Sequence, residues 1–235
     1  ETARQMGFCL FGNVAIAARH AMEHHGLSRV AVVDFDVHHG NGTQDLLWQE
    51  RRALFFSSHQ MPLWPGTGAP EEKGAFDQIH NLPLPPGSSG SEMRALYSAQ
   101  VFPLIDAFAP ELILISAGFD AHADDPLANL NWHEEDFIWL TKALCDLANR
   151  HCNGRVVSLL EGGYDLDALA QSAESLATFN SESGAFEVVG ADLRRARAMA
   201  DQLGMSLKDV TNLAVQSAQR TSAAADLMSS GIVMK

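Results

Sequence analysis

Four short runs of apolar residues recur along the first two thirds of the chain: Arg29 to Asp36 (RVAVVDFD), Ala53 to Ser57 (ALFFS), Leu112 to Ala117 (LILISA) and Arg155 to Leu160 (RVVSLL). Each is nearly continuous rather than alternating, the pattern of a strand buried on both faces of a parallel sheet. Between them the apolar spacing becomes helical. Asn13 to His25 predicts a helix stopped by Gly26. Ser91 to Ala109 has apolar residues at Met93, Leu96, Tyr97, Val101, Leu104, Ile105 and Phe108, with Ser89 and Glu92 spaced as a capping box and Pro103 as an expected kink. Asn131 to Cys152 repeats the pattern, opened by Asn131 and Glu134 and closed near Gly154. Met61 to Gly90 reads as a Pro- and Gly-rich loop, of a length more often functional than idle. This βαβα order predicts a three-layer α/β domain around a parallel sheet, with ligands bound beyond the carboxyl ends of the strands.

Composition divides the chain in two. Hydrophobic residues make up 46% and charged residues 19%, a globular balance that excludes disorder and collagen. The net charge is −13, and all of it falls in residues 1–179, which hold 10 basic and 23 acidic residues. Residues 180–235 hold 6 of each and no Pro, Trp, His or Cys. The expected organisation is a domain over 1–179 and an Ala-rich helical extension over 180–235, broken near Gly204 to Ser206 and open to a role in homo-oligomerisation. An acidic domain disfavours direct nucleic-acid binding, which needs a basic face, and favours cationic substrates through steering. Cys9, Cys145 and Cys152 have no Cys-x-x-Cys spacing, which fits a reducing cytoplasm better than a disulfide framework. Cys145 and Cys152, seven apart on one helical face, read as buried thiols. No apolar run approaches a membrane span, and no leader pattern opens the chain.

Three segments carry candidate chemistry, and each follows a predicted strand. In Asp34-Phe-Asp36-Val-His38-His39-Gly40-Asn41-Gly42, strand alternation would turn Asp34, Asp36 and His38 to one side. Two carboxylates and an imidazole with no Lys or Arg in the segment repel one another unless a cation intervenes. Asp120-Ala-His122-Ala-Asp124-Asp125-Pro126 stands at the same type of position after Leu112 to Ala117, and one further Asp from it would complete an Asp/His/Asp set. Three protein ligands with an open position describe a catalytic zinc site, although mixed N/O donors also accept manganese or iron. Glu161-Gly162-Gly163-Tyr164-Asp165 follows the last strand and puts a phenol, able to donate to an oxyanion, at the same sheet edge.

These stretches, together with Gly7-Phe8-Cys9 and Pro65-Gly66-Thr67-Gly68, occur in an order that resembles the histone deacetylase family. Asn41 and Glu161 follow the branch of class II type deacetylases and bacterial acetylpolyamine amidohydrolases. The resemblance implies an arginase/deacetylase-like α/β fold and hydrolysis of an acetylated amine, either acetyl-lysine of a protein or an acetylpolyamine. It implies Zn2+, with Fe2+ as the alternative, held by Asp36, His38 and Asp125, and Tyr164 as the transition-state tyrosine. Asp34 takes the position that orients a catalytic histidine. Asp34, Asp36, His38 and Ser57 match a monovalent cation site of K+ type, and Gly7, Phe8 and Trp64 match the substrate tunnel.

One family element is absent from this sequence: the Gly-His-His-Ala pair that acts as general base and acid. The chain is therefore expected to be the carboxyl-terminal part of a longer, incomplete catalytic domain, inactive by itself. Two rival readings stand beside the deacetylase. One is an arginase-type two-metal hydrolase, because Asp120-Ala-His122-Ala-Asp124 is close to an element of that group. The other is a catalytically silent protein that binds acetylated ligands or partners.

Overall fold

The computed structural model describes residues 1–173 and 187–188. The expected helices of the carboxyl-terminal extension and the break at Gly204 to Ser206 lie outside the described residues. The chain divides into two compact units, one of residues 1–2 and 12–190 and the other of 3–11 and 191–235.

In the first unit the continuous apolar runs form the strands that their pattern predicts. Helix α1 (Asn13–His24) leads to β1 (Val30–Asp34), α2 (Asn41–Leu47), β2 (Ala53–Gln60), β3 (Ile79–Leu84) and α3 (Gly90–Leu96). A five-residue π-helical turn (Tyr97–Val101), α4 (Phe102–Phe108), β4 (Leu112–Ala117), α5 (Glu134–His151), β5 (Val156–Leu160) and β6 (Glu187–Val188) follow. All pairings are parallel, in the order β3-β2-β1-β4-β5-β6. Every residue of β1 is buried, and its side chains alternate between two cores. Ala31 and Val33 face a core with Met93, Tyr97, Ile105, Phe137, Leu140 and Leu144 from α3 to α5. Val30 and Val32 face the other, with Val14, Ala18 and Met22 of α1 and Leu47 of α2. Helices thus cover both faces, the three-layer arrangement a parallel sheet requires.

Four details differ from the sequence reading. The expected loop Met61 to Gly90 contains strand β3, which pairs with β2 from Phe55↔Ile79 to Gln60↔Leu84. Its Pro83 hid it, yet a proline is tolerated there because β3 is an edge strand. The long helix from Ser91 is not bent at Pro103 alone: the π turn precedes it, with the Phe102 amide donating to the Tyr97 carbonyl. Proline has no amide to continue an α ladder, and a π turn absorbs the register change. The Ser89 and Glu92 capping box is present as expected. The last long helix starts three residues later than expected, because His133 rather than Asn131 is its cap. The His133 amide donates to Asp136 at 2.9 Å, while Asn131 and Trp132 are held in bridges to Ser89 and His122. Finally, Glu187 and Val188 fell in the expected extension but pair with Val157 and Ser158, so they extend the sheet.

In the second unit, the described residues 3–11 form a tight turn in which the Cys9 amide donates to the Met6 carbonyl at 3.2 Å. Gly7 and Phe8 both have positive φ there, 63° and 59°, and Phe8 is exposed.

Candidate metal centre

The carboxyl ends of β1, β4 and β5 meet at one place because these strands are adjacent and in register, with Asp34 opposite both Ser57 and Ser116. Beyond Asp34 the chain leaves the pleat. The Asp36 amide donates to Asp34 Oδ1 at 3.1 Å, and the His38 amide donates to Asp36 Oδ1 at 2.8 Å. Two successive Asx-type turns, rather than strand alternation, bring Asp34, Asp36 and His38 together.

His38 Nδ1 lies 3.0 Å from Asp36 Oδ1 and 3.1 Å from Asp120 Oδ2. Asp36, His38 and Asp120 present one ligand atom each within 4.8 Å of one another. The remaining carboxylate oxygens are anchored by backbone: the Val37 amide donates to Asp120 Oδ1 at 2.9 Å, and the Gly162 amide donates to Asp36 Oδ2 at 2.7 Å. Gly162 has to be glycine, since a Cβ at that position would collide with the carboxylates of Asp120 and Asp36. The Gly-Gly turn after β5 is therefore a close approach of backbone to the acidic group.

The electrostatics of this group call for a cation. Asp120 is fully buried, and burial, then the Asp36 charge, pushes its carboxyl up to about 7. Burial also drives Asp34 well above the usual carboxylate range, with Asp36 and Glu161 adding repulsion. For His38 burial acts downward, but hydrogen bonds to Asp120 and Asp36 outweigh it and raise the ring to about 10. Among the described residues no Lys or Arg pairs with Asp34, Asp36 or Asp120; His38 is their single ion-pair partner. Two carboxylates and one imidazole, preorganised by amides and left with excess negative charge, fit a divalent ion of zinc or iron type.

The third ligand expected at Asp125 is not in this group. Asp125 Oδ2 accepts the amides of Tyr164 at 2.7 Å and Asp165 at 3.3 Å, and its Oδ1 accepts the Leu127 amide at 2.9 Å. Its carboxylate closes two turns, and Asp120 stands with Asp36 and His38 in its place. Asp120 was within the segment singled out from sequence, but spacing could not choose among Asp120, Asp124 and Asp125. The signal that favours Asp120 is its nearness to β4, whose register fixes it against β1.

Of the other expected site residues, Trp64 packs edge-on against the His38 ring, with centroids 6.2 Å apart, and is half exposed. Ser57 is buried opposite Asp34 and accepts the Gly40 amide at 3.2 Å. Tyr164 is held at the same edge through its amide on Asp125. Gly7 and Phe8 belong to the second unit.

Sequence reading passed over a buried network beside this site. His39 Nδ1 lies 2.8 Å from Thr67 Oγ1, and its Nε2 lies 3.1 Å from Gln44 Oε1. Asn81 donates to the same Gln44 oxygen at 2.7 Å, and Gln44 donates to Glu72 at 2.6 Å. His59 Nε2 contacts the Gly68 carbonyl at 3.1 Å. Burial lowers both rings, and His59 falls to about 4 also because it could not be protonated together with the adjacent His39, so the two act as neutral hydrogen-bonding groups.

A second group, His122, His133 and Glu134, also brings ligand atoms within 4.8 Å. Here the Asp124 amide donates to His122 Nδ1 at 3.1 Å, which leaves the proton of a neutral ring on Nε2, 3.5 Å from Glu134 Oε1. That is an imidazole–carboxylate contact rather than a set of free lone pairs. His122 thus stands apart from Asp36, His38 and Asp120, and Asp124 is exposed. An arginase-type pair of metals sharing Asp120, His122 and Asp124 has no support in this geometry.

Comparison with known proteins matches the histone deacetylase domain over residues 1–179. The chain is 48% identical over 170 residues to "Histone deacetylase 14, chloroplastic" of Arabidopsis thaliana, covering 71% of this chain and 40% of that protein. It is 42% identical over 163 residues to the "Histone deacetylase-like amidohydrolase" of Pseudomonas aeruginosa, covering 68% and 43%. The crystal structure of the HDA15 HD domain superimposes with a TM-score of 0.69 at 34% identity, covering 75% of this chain and 52% of that one. The chain thus spans about half or less of the length of these relatives. An Asp/His/Asp group built on the buried Asp120 at the carboxyl edge of a parallel sheet, and a domain match over most of the sequence, place the chain in the histone deacetylase family.

Proposed function

We propose that this chain carries the metal-binding part of a metal-dependent deacetylase acting on acetylated amines. The observation that supports it most is the Asp36–His38–Asp120 group, largely buried, amide-anchored and, among the described residues, without a Lys or Arg partner. When bound, a zinc or iron ion at such a site polarises an amide carbonyl and activates water. Asp36, His38 Nδ1 and Asp120 Oδ2 are the ligands in this reading. Asp34 and Ser57 take the monovalent-cation role. Tyr164 donates its phenol to the oxyanion, its backbone located by Asp125. Trp64, against His38, walls the path of the substrate's methylene stem.

The acidic domain favours a cationic substrate, acetyl-lysine in a basic peptide or an acetylpolyamine, through steering. The chain contains no Gly-His-His-Ala pair, and general acid–base groups contribute on the order of 10²–10⁴ in rate. The 235 residues alone should therefore bind metal with little turnover. No helix among the described residues is long and apolar enough to cross a membrane.

Metal analysis after gel filtration, together with acetate release from acetyl-lysine peptide and acetylpolyamine, tests this reading. About one zinc or iron per chain, lost in Asp120→Asn, is the expected result. Undiminished metal in that variant would overturn the ligand set, and brisk acetate release by the chain would overturn the need for the missing pair.

A further inference from the structure

At the opposite end of the first unit, three imidazoles gather where α1 stops. His25 Nε2 lies 3.2 Å from His20 Nε2, and the His24 ring is tilted against that of His20 at 4.8 Å between centroids. All three side chains are exposed. In an unbroken α-helix, residues five apart do not share a face. The two Nε2 atoms meet because the helix ends there: His25 leaves helical geometry at φ −108° and ψ 0°, and Gly26 is left-handed at φ 69°. The Leu27 amide closes the turn on the Ala21 carbonyl at 3.2 Å.

We infer that His20 and His25 form a surface chelate for a borderline divalent transition ion such as Ni2+, Cu2+ or Zn2+. A separation of 3.2 Å corresponds to an angle of ~100° at a metal bonded to both nitrogens at about 2.05 Å, which suits tetrahedral or octahedral coordination. Among the described residues neither Nδ1 has a hydrogen-bond partner, so each ring is free to keep its proton on Nδ1 and aim a lone pair from Nε2 at the same point. This is the tautomer that the Asp124 amide denies to His122. The unpaired carbonyls of the helix end add negative potential. Arg19, next to His20 in the chain, is engaged by Glu23 at 3.6 Å and Glu50 at 3.3 Å. His24 touches the His20 ring at a tilt without joining the pair.

The site is independent of the deacetylase reading, because it lies before the amino end of β1 whereas Asp34 ends that strand. Calorimetric titration of the full chain with Ni2+ tests it. His20→Ala and His25→Ala should each bind one Ni2+ fewer than the parent, and His24→Ala should match the parent. The same difference should persist in an Asp120→Asn background, which separates this site from the buried group. All three positions are exposed, so metal-free melting should be unchanged. Equal nickel binding by the parent and either pair variant would overturn the assignment, as would a loss in His24→Ala as large as in His20→Ala.

Discussion

The two edges of the sheet treat their acids in opposite ways. At the amino edge the buried carboxylate of Glu50 is neutralised by arginine. Glu50 accepts Arg52 Nε at 2.8 Å and Nη2 at 2.7 Å just before β2, and Arg19 joins at 3.3 Å. Glu111, just before β4, has its carboxylate held by the Ser28 and Arg29 amides at 2.6 and 3.0 Å, with the charges of Arg29 and Arg155 adding to them while Arg155 donates to its backbone carbonyl. At the carboxyl edge Asp34, Asp36 and Asp120 are also buried but have amides and one imidazole instead. The same fold can supply arginines to such positions, so their lack at one edge marks the edge prepared for a metal. Burying a carboxylate costs several kcal/mol per ion, and a divalent cation held there would offset more of that cost than amides and one imidazole do.

The largest expected effect comes from replacing a carboxylate at the unpaired edge. Asp120→Asn should lose tight metal binding, whereas Asp125→Asn should keep the metal and instead loosen the turn that carries Tyr164 and Asp165. Metal content of the two purified variants reads this directly, and the reverse pattern would restore Asp125 as the ligand. Next is Gly162→Ala, whose added methyl meets the carboxylates of Asp120 and Asp36. A destabilisation of about 1–3 kcal/mol is expected from such overpacking, together with weaker metal binding, and a melting curve with and without zinc measures both.

Smaller effects belong to the paired edge. Arg52, through its hydrogen bonds, holds Glu50 down to about 2, against the opposing effect of burial. A folded-state value below the unfolded one means that stability is present above about 4.5 and is lost as pH falls toward 2. Glu50→Gln should flatten the acid limb of a stability–pH profile in that window. At neutral pH it should cost on the order of 1 kcal/mol, since Arg52 is partly exposed. A Glu50→Gln profile that overlays the parent between pH 2 and 4.5 would show that arginine pairing does not matter there.

Much of this layout was legible in the chain. The runs at Val30–Asp34 and Leu112–Ala117 needed only continuous burial, and burial on both faces writes itself into consecutive residues. The acidic group after β1 was legible because its members stand two apart, within reach of local turns. β3 was not, because Asn81 and Pro83 interrupt its apolar character and an edge strand tolerates both. The cap of α5 was misplaced for a similar reason: Asn131 and His133 are both able to cap, and the bridge from Ser89 to Asn131 decides between them.

The choice among Asp120, Asp124 and Asp125 shows where local information stops. Sequence determined the elements, their parallel arrangement and the chemical types at the strand ends, because hydrophobic period and turn chemistry act over a few residues. The strand register decided which aspartate faces His38, and the backbone of Gly162, 126 residues from Asp36, decided how those carboxylates are held. Such contacts depend on distance through space, where a fraction of an ångström separates a metal ligand from a turn cap.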